Sequence, residues 1–141
     1  MNPVTSICVI DGQGGGIGAA IIKRLKMLFE EHVEIVALGT NAIATAQMLK
    51  ARANRGASGE NAIVVTAPQM DIIIGSVSIV MANAMMGEVT PKIAAAIASS
   101  PARKLLIPIS QENVVIVGAF SVPLPHIVDT LIDEHLAPLL K

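Results

Sequence analysis

Val9-Ile10-Asp11-Gly12-Gln13-Gly14-Gly15-Gly16-Ile17-Gly18-Ala19-Ala20 is the stretch on which the fold of this chain turns. The β-rich apolar run from Val4 to Ile10 meets five glycines within seven positions, and a helix-period segment starts at Ile17. Strand, glycine loop and helix, in that order, present backbone N–H groups to a phosphate at a helix N-terminus. Each glycine removes a Cβ where a pyrophosphate or a neighbouring strand must come close. The ligand class is a small anion, a nucleotide or phosphate ester, held by Asp11, Gly12, Gln13, Gly14, Gly15, Gly16, Ile17 and Gly18. A tight turn whose glycines serve packing alone is the competing structural explanation. No reaction follows from the loop itself.

Two spacings coexist in the loop. Gly14-x-Gly16-x-x-Ala19 fits the dinucleotide fingerprint G-x-G-x-x-G/A. Gly12-x-x-x-Gly16-Ile17-Gly18 has the spacing of short-chain dehydrogenases and reductases, which the loop locally resembles. A dinucleotide site of the usual kind also needs an acidic residue at the end of the second strand to hold a ribose hydroxyl. Here that strand is Glu34-Ile35-Val36-Ala37-Leu38, followed by Gly39-Thr40-Asn41, with no carboxylate at its C-terminal end. Gly39, Thr40 and Asn41 remain candidates for ribose or phosphate contact, although Thr40 or Asn41 also suits the N-cap of the next helix. Arg52 and Arg55 are candidates for a 2′-phosphate. NAD(P) or another nucleotide is therefore the expected cofactor class, with the species open.

Composition narrows the partners. A chain of 141 residues suits one domain, burying about 68–70% of its unfolded surface. Ten Lys and Arg against eleven Asp and Glu leave a formal charge of −1, which argues against nucleic acid. Phe29 and Phe120 are the only aromatic residues, so the stacking platforms that bind single strands are missing too. Met1-Asn2-Pro3-Val4 lacks the basic and apolar regions of a signal peptide, and the lone Cys8 cannot close an internal disulfide. A cytoplasmic location is expected, with Cys8 as a small buried hydrophobe.

Hydrophobic residues make up 52% of the chain, and residues 72–87 carry no charge. That run is shorter than the ~20 residues a bilayer requires and is interrupted by Gly75, Ser76, Ser78 and Asn83, so no membrane span is expected. A buried strand followed by a buried helix from Ser76 to Met86 accounts for it better. A helix with so little polar surface needs burial on nearly all sides, which implies a homo-oligomer packed through this element.

Further along, helices are expected from Ile17 to Glu31, Asn41 to Arg52, Pro91 to Ser99 and Leu124 to Leu136. Arg55 to Gly59 reads as a loop or helix cap. Ala62 to Thr66 reads as a short strand, or else one helical turn, and Asp71 to Gly75 as a buried strand. Only four residues separate these two, too few for a parallel crossover, so they form a tight antiparallel turn or the first is not a sheet strand. Arg103 to Ile109 and Val114 to Val117 read as strands joined by a similarly short connection, which makes the last one an antiparallel edge. The fold class is α/β: a single Rossmann-like three-layer domain with a mostly parallel sheet and an antiparallel edge strand.

Taken whole, the chain resembles a family of small Rossmann-like bacterial proteins filed as a domain of unknown function. The matching pieces are VIDGQGGGIG (9–18), ALGTNAIAT (37–45), GENAIVV (59–65), DIIIG (71–75) and MANAMMGEVTP (81–91). The resemblance spans nearly the full length and implies a fold and a cytoplasmic setting. It implies no established activity and supplies no functional residues.

No catalytic set is recognisable. Short-chain reductases use a tyrosine with a lysine four residues later, and this chain has no tyrosine. Gly75-Ser76-Val77-Ser78 lacks the second glycine of a hydrolase elbow, though Ser76 sits at a strand's C-terminal end where ligands bind. Capping is the simpler role for Ser76 and Ser78. His126 and His135 miss the i, i+4 spacing of a helical metal site, and no metal is expected. Asp11 either stiffens the glycine turn through loop N–H groups, the simpler role, or contacts a ribose hydroxyl or Mg²⁺. Glu88 and Asn113, in loops after the charge-free helix and the penultimate strand, could each reach a ligand but read more simply as solvated loop residues. Two functions remain. In one, the protein binds a nucleotide at Gly12 to Gly18 with help from Gly39, Thr40, Asn41 and Ser76. In the other, it is a homo-oligomeric assembly protein in which the loop is only structural.

Overall fold

The computed structural model describes residues 4–110 and 112–140. Most of the N-terminal tetrapeptide read above for targeting, Met1-Asn2-Pro3, lies outside the described residues. Five strands form one sheet: β1 (Thr5–Asp11), β2 (Val33–Gly39), β3 (Arg55–Ser58), β4 (Ile72–Ser76) and β5 (Arg103–Ile107). Their spatial order is β3-β2-β1-β4-β5, and every pairing is parallel. The helices are α1 (Gly16–Phe29), α2 (Ala42–Lys50), α3 (Glu60–Thr66), α4 (Pro91–Ser99) and α5 (Leu124–Thr130), the last continuing as a π-helical turn over Leu131–Leu136.

The three layers follow from alternation within strands buried on both faces. In β1, Ile7 and Val9 face Ile21, Ile22 and Leu25 of α1, Met48 of α2, and Val128, Leu131 and Leu136 of the C-terminal helix. Cys8 and Ile10 point the other way, into Ile63 of α3 and Ile93, Ala94 and Ile97 of α4. β2 divides in the same way, with Ile35 and Ala37 on the first face and Val36 and Leu38 on the second. Burial pushes the Cys8 thiol far above its ordinary pKa, so it behaves as an apolar filler.

Three segments differ from the sequence expectation, and a fourth is decided between the two alternatives left open. Arg55–Ser58 is a parallel edge strand, not a loop; exposed along its length, it carries no hydrophobic pattern to mark it. Residues 62–66 belong to helix α3, the second of the two alternatives, because Ile63 and Ala67 must reach the core at helical spacing. Residues 59–71 thereby supply the dozen-residue crossover that parallel β3 and β4 require.

The expected helix from Ser76 to Met86 does not form. A short 3₁₀ turn (Val77–Val80) leads into successive tight turns, because Asn83, Met85, Met86 and Gly87 all have left-handed backbone, which an α-helix cannot contain. The segment buries Ile79 and Ala84 against its own sheet, so its apolar composition no longer calls for a second subunit. Finally, residues 114–117 are not an antiparallel edge strand. Pro108 follows β5, the chain leaves the sheet, and these residues lie exposed, with no strand beside them among the described residues. The sheet is wholly parallel.

Gly75 allows β1, β4 and the following turn to close up: a Cβ there would stand 2.7 Å from the Ile10 carbonyl oxygen and 2.8 Å from Ile79 Cδ1. Gly75→Ala is expected to lose about 1–3 kcal/mol of stability through overpacking. Urea unfolding followed by far-ultraviolet circular dichroism measures it, and an unchanged midpoint would contradict this packing.

Candidate functional site

Because all strands run parallel, their C-terminal ends form one rim. Asp11 pairs in register with Gly39 and Gly39 with Ser58, while Ser76 pairs with Ile107. Strand order reverses between β1 and β4, so the loops after these strands diverge to opposite faces and leave a crevice, where ligands bind in sheets of this kind. The residues singled out from the sequence (Asp11 to Gly18, Gly39 to Asn41, Ser76) all lie on this rim.

Asp11 organises the glycine loop. One carboxylate oxygen accepts from the Gly12 N–H at 2.8 Å and the other from the Gly18 N–H at 2.7 Å, tying the end of β1 to the first turn of α1. A turn closes inside this clamp through Gly15 N–H to Gly12 O at 2.9 Å. Burial raises the Asp11 pKa, the two N–H donors oppose that rise, and the nearby Glu88 charge adds to it.

The glycines divide into two groups. Gly12 and Gly18 sit in close quarters, where a Cβ would lie 2.6 Å from Met85 Sδ and 2.6 Å from Met48 Sδ respectively and those side chains would have to shift. Gly15, the residue preceding α1, has φ 74° and lies against Ala44. Gly14 and Gly16 differ: a Cβ on either would meet nothing within 4 Å, and neither has left-handed backbone. Among the described residues, no protein group accepts from their N–H groups.

Glu88 occupies the end of β2. Its Oε1 accepts from the Gln13 N–H at 2.8 Å, the Thr40 hydroxyl at 2.7 Å and the Asn41 side-chain amide at 2.8 Å. Partial burial alone would raise its pKa, but these three donors outweigh it and hold the carboxyl below its ordinary value. Asn41 serves twice, since its side-chain oxygen also caps α2 by accepting from Ala44 N–H at 2.8 Å. Glu88 is thus not a solvated loop residue. It lies 47 to 75 positions from its partners, so no local pattern signals the contact.

On the other side of the loop, Asp11, Gln13, Ile17, Ser76, Ser78 and Glu112 line a small crevice of about 80 Å³. Ser76 and Ser78 are only 3% and 4% exposed. Ser76 makes no capping bond, contrary to its simplest expected role, and among the described residues no buried side-chain polar atom is left without a hydrogen-bond partner. Asn113 is exposed and does not line this crevice. Arg55 is held at 3.0 Å by Glu34 inside the β3–β2 ladder, and Arg52 lies in the turn that precedes β3, so neither is brought to the rim. Among the described residues, no group of three His, Cys, Asp or Glu gathers as a metal site, and no helix is long and apolar enough to cross a membrane.

Residues 6–139 match the family described as Domain of unknown function (DUF3842), and the chain belongs to that family. No curated protein matches the chain.

Asp11→Asn keeps the side chain's size but turns an N–H donor toward Gly12 or Gly18. A loss of about 1–3 kcal/mol is expected, the cost of one buried, unpaired donor. A carboxyl with a raised folded pKa gains stability as pH falls through that value, and Asn cannot titrate. The deficit should therefore widen on acidification. Urea unfolding at neutral and mildly acidic pH measures both parts.

Proposed function

We propose that this protein binds a nucleotide or dinucleotide across the β1–β4 crevice. The phosphates meet the N–H groups of Gly14 and Gly16 at the start of α1, and the remainder lies along the rim. The observation that carries this reading is the pair Gly14 and Gly16, which the fold itself does not require: both stand in open space, without left-handed backbone, at the mouth of the loop. Only a molecule from outside gives their missing side chains a purpose. Ser76 and Ser78, which line the crevice beside the loop, support it by offering hydroxyls to a ligand.

Volume and charge shape the pose. A cleft of about 80 Å³ falls well below the ~300 Å³ at which pockets enclose a small molecule, so only one end of the ligand enters between the loop and Ser76. Asp11 already uses the Gly12 and Gly18 donors, which leaves the outward N–H groups for phosphate. The site offers binding groups (hydroxyls, N–H donors and carboxylates) without a recognisable nucleophile and base pair.

A second reading, self-assembly, is favoured by residues 114–122. Val115, Val117 and Phe120 are 84%, 93% and 84% exposed within a segment that carries no charge, and contiguous apolar surface of this kind marks contact sites. The interface proposed for a homo-oligomer therefore moves from residues 76–86 to this segment. It does not compete with the rim for the same residues.

A nucleotide at a hundred times its Kd raises apparent stability by about 2.7 kcal/mol. NAD⁺, NADP⁺, ATP and AMP are the probes, followed by thermal denaturation. In Gly16→Asp the new side chain enters open space in the first helical turn, where a carboxylate is tolerated, so the fold survives while phosphate is repelled. The variant is expected to keep its melting temperature and lose the ligand-induced rise. An equal rise in wild type and variant would remove the loop from the site.

A further inference from the structure

We propose that Glu88 sets the specificity of this site, selecting a nucleotide whose ribose hydroxyls are free and rejecting one that carries a 2′-phosphate. The inference rests on the nucleotide reading above and deepens it. A ligand with its phosphates on the β1 loop places the adjoining ribose at the end of β2, where an acidic residue hydrogen-bonds the sugar. The sequence there is Gly39-Thr40-Asn41, which holds no carboxylate. The fold supplies one from a different loop, carrying Glu88 across to Thr40 at 2.7 Å and Asn41 at 2.8 Å.

The two oxygens of Glu88 are differently engaged. Oε1 takes all three protein donors, whereas among the described residues Oε2 takes none. The carboxylate is thus fixed in place by one oxygen, with the lone pairs of the other left for a ligand. What such an oxygen needs is a donor, and a ribose diol offers two. A 2′-phosphate is an anion without a matching donor, and bringing it against an ionised carboxylate is repulsive. The cations that would accommodate it are elsewhere, Arg55 on Glu34 and Arg52 in the turn preceding β3.

The backbone that delivers Glu88 is itself unusual. Asn83, Met85 and Met86 take left-handed φ values of 69°, 58° and 57°, which methionine rarely adopts. Backbone of this kind persists where surrounding structure overdetermines it, and it clusters at ligand sites. Here it is anchored by the fully buried Val89, whose carbonyl accepts from Asn83 N–H at 2.6 Å. On the far side of the same loop, Ser76 and Ser78 line the crevice that receives one end of the ligand.

Isothermal titration of the full chain with NAD⁺ and NADP⁺ at matched ionic strength tests the proposal, with Glu88→Gln and Gly16→Asp alongside. Wild type is expected to prefer NAD⁺ by about tenfold or more, the worth of one charge-assisted hydrogen bond. Glu88→Gln keeps the side chain's reach but removes its charge, and should bring the two affinities close together. Gly16→Asp should lose both ligands. Equal affinities in wild type, or a Glu88→Gln protein that weakens both ligands by the same factor, would overturn the specificity role and leave the nucleotide site standing. Should NAD⁺, NADP⁺ and AMP all fail to bind wild type, the nucleotide reading falls and this proposal with it. The wild-type comparison decides the matter even where Glu88→Gln does not fold.

Discussion

Burying both faces of a parallel sheet forces each connection between its strands to cross over a face, and crossovers of one hand leave few ways to arrange five strands. This chain builds outward from β1 to β2 and β3, then returns to place β4 and β5 on the other side. One reversal is unavoidable in that order, and it falls beside β1. All else at the rim depends on it. The glycine loop, the end of β2, Ser76 and the turn that bears Glu88 come together because β1 sits at the centre of the sheet with its neighbours' loops diverging around it.

Two carboxylates divide the work at that rim. Asp11 turns inward, using the donors of Gly12 and Gly18 to hold β1 and α1 at a fixed angle. Glu88 lies across the loop and fastens the 81–88 turn to β2 through Gln13, Thr40 and Asn41. The first is pushed toward its neutral form by burial, and the second is kept ionised by its donors. Neither has a Lys or Arg in ion-pairing distance among the described residues. A site of this composition suits a ligand that brings hydroxyl donors as well as phosphate, which fits a nucleoside phosphate better than a bare anion.

Local pattern made part of this legible in the sequence. The run from Val9 to Ala20 announced strand, loop and helix because apolar period and glycine spacing both change at Asp11. Thr90-Pro91 fixed the start of α4, and Asn41 was readable as a cap. Elsewhere tertiary contact overrode local preference. Ala, Met and the absence of charge suggested a helix through residues 76–86, yet Asn83, Met85 and Met86 take left-handed backbone in turns closed by the Asn83 N–H to Val89 carbonyl bond. Val114 to Val117 has strong strand propensity but, among the described residues, no strand to join. Glu88 was hidden for a plainer reason: its partners lie in two other loops, 47 to 75 positions away, and no spacing rule spans such distances.

The central claim is that Gly14 and Gly16 stand open in order to receive phosphate. Their own backbone amides can report on it directly. With eleven glycines in the chain, amide resonances of that residue type are few enough to assign individually. A two-dimensional ¹⁵N–¹H spectrum of the labelled protein, titrated with NAD⁺ and separately with AMP to millimolar concentration, is the measurement. The account predicts large, saturating shifts at the Gly14 and Gly16 amides, with small ones at Gly75 and Gly118. Unmoved Gly14 and Gly16 signals under both ligands, or shifts centred on another face of the sheet, would contradict it.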